Sequence, residues 1–162
     1  MIRPATPDEC AELTSLALRS KASWGYDDAF IESCRDELTV RPEQLGPWRV
    51  TVIDEAGTVL GFSAVSGDPP EGEVEFLFVE PDRLGTGFGR TLWEHLVERA
   101  RAEGFESLVV VADPGAVPFY ERMGARRIGE VPSGSILGRT LPKLRLRPLM
   151  APGTLVRAPA TA

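Results

Sequence analysis

Three glycines at alternating positions, Gly85, Gly87 and Gly89, stand directly before a helical pattern in "RLGTGFGRTLWEHL". Glycine lets the backbone adopt a positive φ, or lets a ligand approach with no Cβ in the way. The free amides and the positive end of the helix dipole suit such a turn to a phosphate, and Arg90 adds a charged donor. The local sequence leaves two interpretations open, an anion site and a plain tight turn.

Two well-known phosphate-binding motifs do not fit this loop. A nucleotide P-loop ending at Gly89 needs a glycine where Leu84 stands and a lysine where Arg90 stands. A dinucleotide fingerprint starting at Gly85 needs its third glycine at the position of Arg90. The loop is therefore predicted to serve a different kind of ligand.

The elements that must position this loop follow from the spacing of apolar residues. The pattern predicts a strand, two helices, three strands, a long helix, a strand, a short helix and two strands. "GEVEFLFVEP" alternates, which predicts Glu73, Glu75, Leu77 and Val79 on one face of a strand and Val74, Phe76 and Phe78 on the other. The crossover through the long helix predicts one parallel pair in an otherwise antiparallel sheet.

Composition narrows the classes of partner. A net charge of −6 at pH 7 disfavours nucleic acid, which needs clustered Lys and Arg. No run of about 18 apolar residues is present for a membrane span, and the first residues lack the apolar core of a secretion signal, so we expect a cytoplasmic protein. Cys10 and Cys34 are expected to be buried thiols, and no set of metal ligands can be assembled, so no metal is expected.

Two stretches together carry a family resemblance. "LFVEPDRLGTGFGRTLWEHLVERARAEG" resembles the acyl-CoA-binding motif of the GCN5-related N-acetyltransferases (GNAT), and "ADPGAVPFYERMGARRIGE" resembles the second signature of that superfamily. The predicted element order is also that of the family, so the resemblance covers residues 1–148, a single domain, with a mobile tail at 149–162. It implies an α+β fold: a mixed, mostly antiparallel, six- to seven-stranded twisted sheet flanked by about four helices, with the central strands splayed at the acyl-CoA site.

The resemblance implies acetyl-CoA as co-substrate. Its pyrophosphate would be held by main chain and by one side chain of the loop, at Gly85, Thr86, Gly87, Phe88, Gly89 and Arg90. The Arg or Gln of the family motif falls on Leu84, a departure, with Arg83 one residue earlier. The pantetheine arm would pair with the main chain of Leu77, Phe78 and Val79, as an added strand does.

The implied reaction is N-acetyl transfer by direct attack of an amine in a ternary complex. Glu73 or Glu75 would accept the proton of the amine, the amide of Phe78 or Val79 would stabilise the oxyanion, and Tyr120 would protonate the thiolate. The same sequence pattern is expected if Glu73 and Glu75 are solvated carboxylates on an open strand face and Tyr120 is a core aromatic residue. The alternative function is a catalytically inactive acyl-CoA sensor or interaction module on the same fold.

The acceptor site is expected between "SKASWGYDD" and "GEVPSGSILGRT". Trp24 and Tyr26 are predicted to wall a pocket for a cationic amine, with Asp27 or Asp28 attracting its charge. The sequence does not separate a small-molecule amine from a peptide, and it leaves a homodimer open.

Overall fold

One seven-stranded sheet with helices on both faces makes up the part of the chain that the computed structural model describes, residues 1–149. The strand order is β1-β2-β3-β4-β5-β7-β6, and only β4 and β5 run parallel. The strands are β1 (Ile2–Pro4), β2 (Thr51–Glu55), β3 (Thr58–Ser66), β4 (Glu71–Val79), β5 (Ser107–Val111), β6 (Arg126–Pro132) and β7 (Thr140–Leu146). The predicted mixed, mostly antiparallel sheet is thus confirmed.

Five α-helices accompany the sheet: α1 (Cys10–Ala22), α2 (Asp28–Ser33), α3 (Arg35–Leu38), α4 (Phe88–Ala102) and α5 (Val117–Arg122). About four were expected, and the difference arises because the predicted second helix is interrupted at Cys34. Cys10 and Cys34 are both free and buried, as expected.

Helices α1 and α4 pack on opposite faces of the sheet. Leu13 and Leu16 of α1 share a buried cluster with Phe62 and Phe76, whereas Leu96 of α4 lies in a second cluster with inward side chains of the other face. Burial of these side chains is the main favourable contribution to folding. The two clusters fix α1 and α4 on either side of β4.

The pairing between β4 and β5 stops halfway along β4. Its four pairs run from Glu71–Ser107 to Val74–Val110. From Glu75 to Val79, β4 is paired only with β3. The predicted splay of the central strands is therefore confirmed, and it opens a slot through the sheet.

A β-bulge at Glu75 alters the predicted alternation of β4. Ala64 pairs with Phe76 and the next residue, Val65, pairs with Val74, so Glu75 is the extra residue. Leu77 and Val79 therefore lie on the α4 face with Val74, among the clusters there. The expectation that they share a face with Glu73 and Glu75 is wrong, because one inserted residue reverses the side-chain direction beyond it.

Leu149, the last residue described, is buried in the α4-side cluster. The rest of the predicted tail, residues 150–162, lies outside the described residues, and the extent of the domain remains a prediction. Across residues 1–149, no helix has the length and apolar character needed to cross a bilayer.

Candidate active site

The backbone of Leu77 and Val79 faces the slot between β4 and β5. Glu80 donates its N–H to the carbonyl of Leu60 at 2.8 Å. Hydrogen-bonded pairs alternate along an antiparallel ladder, so Phe78 also directs its backbone groups to β3, and Leu77 and Val79 direct theirs away from it. Of the three residues predicted to pair with a pantetheine arm, two present amides and carbonyls to the slot.

The glycine loop, residues 84–89, lies beyond the end of β4, and its last two residues are the first two of α4. Gly85 and Gly87 have φ of +76° and +93°, and a Cβ at either would meet nothing within 4 Å. Gly87 is the N-cap of α4, and no side chain caps this helix end. The amides of its first turn have no intrahelical acceptor. Positive φ explains two of the glycines, and the open space beside them leaves room for an anion.

The side chains around the loop differ in their availability. Arg90 pairs with Glu94 at 2.9 Å on the exposed side of α4, and Leu84 is 48% exposed. Thr86 donates its hydroxyl to the carbonyl of Arg83. The Nε of Arg83 is buried without a hydrogen-bond partner among the described residues, and its guanidinium lies 6.0 Å from the ring centre of Phe88. The guanidinium of Arg83, one residue before Leu84, therefore has an Nε–H that makes no hydrogen bond within residues 1–149.

The two candidate bases have different surroundings. Glu73 is exposed, whereas Glu75, at the bulge, is half-buried and accepts a 2.6 Å hydrogen bond from the hydroxyl of Ser66. Burial raises the pKa of Glu75, the bond from Ser66 partly opposes this, and the nearby charge of Glu73 adds to the increase. A carboxylate held in place with a raised pKa is the better proton acceptor of the two.

Tyr120 lies on α5 with its ring in the α4-side cluster. It is 6% exposed and packs edge-on against Trp93 and Phe119. Burial raises the pKa of its phenol, which therefore keeps its proton at neutral pH. Glu75 belongs to the opposite face with Ser66, so the two candidate groups lie on different sides of the sheet.

The C-terminal end of α1 spans the open ends of the two splayed strands. Arg19 forms an ion pair with Glu80, just after β4. Lys21 lies 3.6 Å from the carboxylate of Asp113, just after β5. Trp24 covers the backbone of Gly115, where an added Cβ would lie 2.8 Å from the indole ring. The predicted acceptor segment does border the slot.

Tyr26 belongs to a polar cluster that the sequence analysis did not predict. Its hydroxyl donates to Asp113 and accepts from Arg139, both at 2.7 Å. Its ring stacks on Phe30 with 4.0 Å between centroids. We call Lys21, Tyr26, Phe30, Asp113 and Arg139 the Asp113 cluster. Its members come from three segments with no local motif in common, so nothing in the sequence pattern identified Lys21, Asp113 or Arg139.

Asp27, one of the two residues predicted to attract a cationic amine, has a structural role. The carboxylate of Asp27 caps α2 by accepting a 2.8 Å bond from the amide of Phe30. Trp24 is 46% exposed and contributes an apolar surface beside Gly115. Within residues 1–149, no group of three or more His, Cys, Asp or Glu residues is arranged to hold a metal ion.

Comparisons with known proteins agree with this geometry. The sequence profile of the acetyltransferase (GNAT) family matches residues 9–125. An L-methionine sulfoximine/L-methionine sulfone acetyltransferase of Pseudomonas paraeruginosa is 34% identical over 54% of this chain and 56% of its own length. The chain thus spans little more than half of that relative.

Two solved structures share the fold. A GCN5-related N-acetyltransferase from Rhodopseudomonas palustris superposes with a TM-score of 0.77 at 22% identity, covering 91% of this chain and 94% of that one. The PaiA N-acetyltransferase of Thermoplasma acidophilum, solved with coenzyme A, gives a TM-score of 0.74 at 16% identity, covering 91% and 98%. At these identities the likeness concerns the fold.

Proposed function

Because the chain belongs to the acetyltransferase (GNAT) family, we propose that it transfers an acetyl group from acetyl-CoA to the primary amine of a small molecule. The observation that carries this proposal is the slot between β4 and β5, which begins beyond Val74 and Val110. It leads along the free backbone groups of Leu77 and Val79 towards the glycine loop. An extended amide-containing arm ending in a pyrophosphate suits such a path.

The residues present fit acetyl-CoA. The amides at the start of α4 and the open space beside Gly85 and Gly87 suit the pyrophosphate. Arg83 supplies the charged side chain that Leu84 does not, since its Nε makes no hydrogen bond among the described residues and only a loose 3.9 Å ion pair with Asp82. Leu77 and Val79 offer main-chain partners to the amides of pantetheine. Bound there, acetyl-CoA supplies a thioester carbonyl as the electrophile.

Glu75 is the proposed base. An alkylamine with a pKa of about 10.4 is almost wholly protonated at pH 7 and must lose a proton before it attacks. The raised pKa of Glu75 increases its affinity for that proton, and Ser66 holds the carboxylate in place. As the new C–N bond forms, we expect the amide of Val79 or Leu77 to donate to the developing oxyanion, because the amide of Phe78, the other predicted donor, is directed to β3.

Tyr120 is the proposed acid. When the C–S bond breaks, the sulfur leaves as a thiolate and takes the phenolic proton, and the phenolate recovers a proton from the second one that the amine nitrogen loses as the amide forms. Because the pKa of the buried phenol is raised, this transfer requires close positioning of the sulfur. The packing of the ring between Trp93 and Phe119 restricts its orientation. The base and the acid then serve the two sides of one slot.

The size of the acceptor is inferred from the relatives. The Pseudomonas paraeruginosa enzyme acts on methionine sulfoximine and methionine sulfone, as its name states. The acceptor side of this chain is bordered by residues of α1, of the segment before α2 and of the turn before β7. By likeness to this relative, we expect a small amine rather than a folded protein as the substrate.

Release of free CoA thiol from acetyl-CoA, measured over a panel of primary amines, tests the proposal. We expect turnover with at least one amine, and thermal stabilisation by acetyl-CoA but not by ATP or NAD. Stabilisation without turnover of any amine would favour the alternative, an inactive acyl-CoA sensor. Absence of both would reject an acyl-CoA protein altogether.

A further inference from the structure

The Asp113 cluster contains more positive than negative charge in a poorly exposed place. Lys21 and Arg139 have side chains 14% and 20% exposed, and Asp113, the carboxylate between them, is 11% exposed. Charges taken out of water need paired partners, because desolvation is costly. Two cations and one carboxylate leave the contacting groups with one unmatched positive charge.

The carboxylate of Asp113 is already occupied by better-placed donors. Its Oδ1 accepts from the amide of Gly115 at 3.0 Å, and its Oδ2 accepts from the hydroxyl of Tyr26 at 2.7 Å. Lys21 and Arg139 each stand 3.6 Å from the same Oδ2, beyond hydrogen-bonding distance. Asp113 therefore attracts both cations without satisfying their donors.

Several donors of the two cations remain free. Within residues 1–149 the ammonium of Lys21 makes no hydrogen bond, and the guanidinium of Arg139 donates only to the hydroxyl of Tyr26. Both cations lie over the same two rings: Lys21 is 5.7 Å from the centroid of Tyr26 and Arg139 is 4.9 Å from that of Phe30. The stacked rings keep two like charges close together.

The position of the cluster relates it to the acceptor. Asp113 follows β5 at the end where that strand has parted from β4, and Lys21 belongs to the end of α1 that spans the opening. An anion bound by Lys21 and Arg139 would lie at the mouth of the slot.

We propose that Lys21 and Arg139 bind the carboxylate of the acceptor, so that the substrate is a small amino acid. A carboxylate accepts from both cations and matches the planar fork of Arg139. Its negative charge removes the excess positive charge. This inference rests on the proposed acetyl transfer and specifies its acceptor.

The test compares each of a set of L-α-amino acids with its carboxamide and its decarboxylated amine in the CoA-release assay. We expect the acid to exceed both analogues at least tenfold in kcat/KM, chiefly through KM. The Lys21→Gln/Arg139→Gln variant should reduce this preference to about twofold or less, while Lys21→Arg keeps most of it. Arg35→Gln, a control on neighbouring α3 whose arginine pairs with Glu32, should change nothing.

A binding measurement separates this inference from the transfer itself. With CoA present, an N-acetyl-L-amino acid should raise the Tm of the wild type, and its carboxamide should not. If amines are turned over but acids and carboxamides perform equally, the carboxylate site is wrong and the transferase stands. If no amine is turned over but the carboxylate-dependent Tm shift persists, the site stands and the transferase is wrong. If the double variant does not fold, the two wild-type comparisons still decide.

Discussion

The glycine loop and the Asp113 cluster border the same slot, but they are built in different ways. The loop presents backbone amides, and its conformation depends on two glycines with positive φ. The cluster presents side chains joined over separations of 87 and 113 residues. A site formed by the main chain of one loop has a short local sequence pattern. A site formed by side chains from distant segments has no such pattern. The first region was therefore predictable, and the second was not.

The largest effect on turnover is expected at Glu75, the bulge residue of β4. Glu75→Gln should lower kcat about 10²- to 10³-fold, because the amide cannot accept a proton from the amine. In the wild type, activity should fall as the pH drops through the raised pKa of Glu75, since burial favours the protonated, inactive form. Pre-steady-state and steady-state rates across pH measure both effects.

Glu73→Gln provides the matched control for that variant. Its carboxylate is exposed on the same strand, so the loss should stay within about threefold. The acid limb of the pH profile should remain but move to slightly lower pH, because the charge of Glu73 no longer raises the pKa of Glu75. A larger loss at Glu73 than at Glu75 would reverse the assignment of the base.

The second-largest effect on turnover is expected at Tyr120, on the α4 side of the sheet. Tyr120→Phe removes the phenolic proton but keeps the ring that packs against Trp93. We expect turnover to fall at least tenfold with little change in Tm, because proton transfer to the thiolate is lost and the packing is not. Unchanged turnover, with CoA release followed at saturating substrate, would remove Tyr120 from the mechanism.

The third prediction tests recognition by main chain. Gly87→Ala places a Cβ on a residue with φ of +93° and directs it into the open space beside the loop. We expect the free energy of unfolding to decrease by about 1–2 kcal/mol and the KM for acetyl-CoA to rise about tenfold. Chemical denaturation and acetyl-CoA titrations measure the two changes.

Gly89→Ala is the control within the same loop. Its Cβ would meet Phe119 at 3.6 Å, an ordinary contact, and its φ is not positive. Alanine is also the better helix former by about 1 kcal/mol. Equal damage at both glycines would show that the loop is sensitive to any added atom rather than to backbone conformation.

The smallest effect, on acetyl-CoA binding, distinguishes the two arginines that flank the glycine loop. Arg83→Ala should weaken acetyl-CoA binding about three- to tenfold, because a guanidinium held only by a loose ion pair with Asp82 is lost as a phosphate donor. Arg90→Ala removes an exposed ion pair with Glu94 and should change binding less than twofold. Calorimetric titration with CoA distinguishes them, and the reverse order would assign the charged contact to Arg90.

The contrast between the regions also explains which features were predictable. Alternating glycines at the start of a helix have a local physical cause, and the order of helices and strands along the chain follows from apolar periodicity, so both were confirmed by the structure. The faces of β4 were half wrong, because "VEFLFV" carries no sign of which residue is extra. The role of Tyr26 in the acceptor pocket stays a prediction, and its partners Asp113 and Arg139 depend on how three segments fold together.

The bulge at Glu75 makes one residue of β4 dispensable for the direction of its neighbours. The residues from Phe76 to Val79 already pair in regular register with β3, so deletion of Glu75 would restore strict alternation and leave Leu77 and Val79 on the α4 face. Deletion of a residue beyond the bulge would instead turn the residues between it and Glu75 to the other face of the sheet. In a deletion scan, loss of Glu75 should therefore disturb the lining of the slot much less than loss of Leu77.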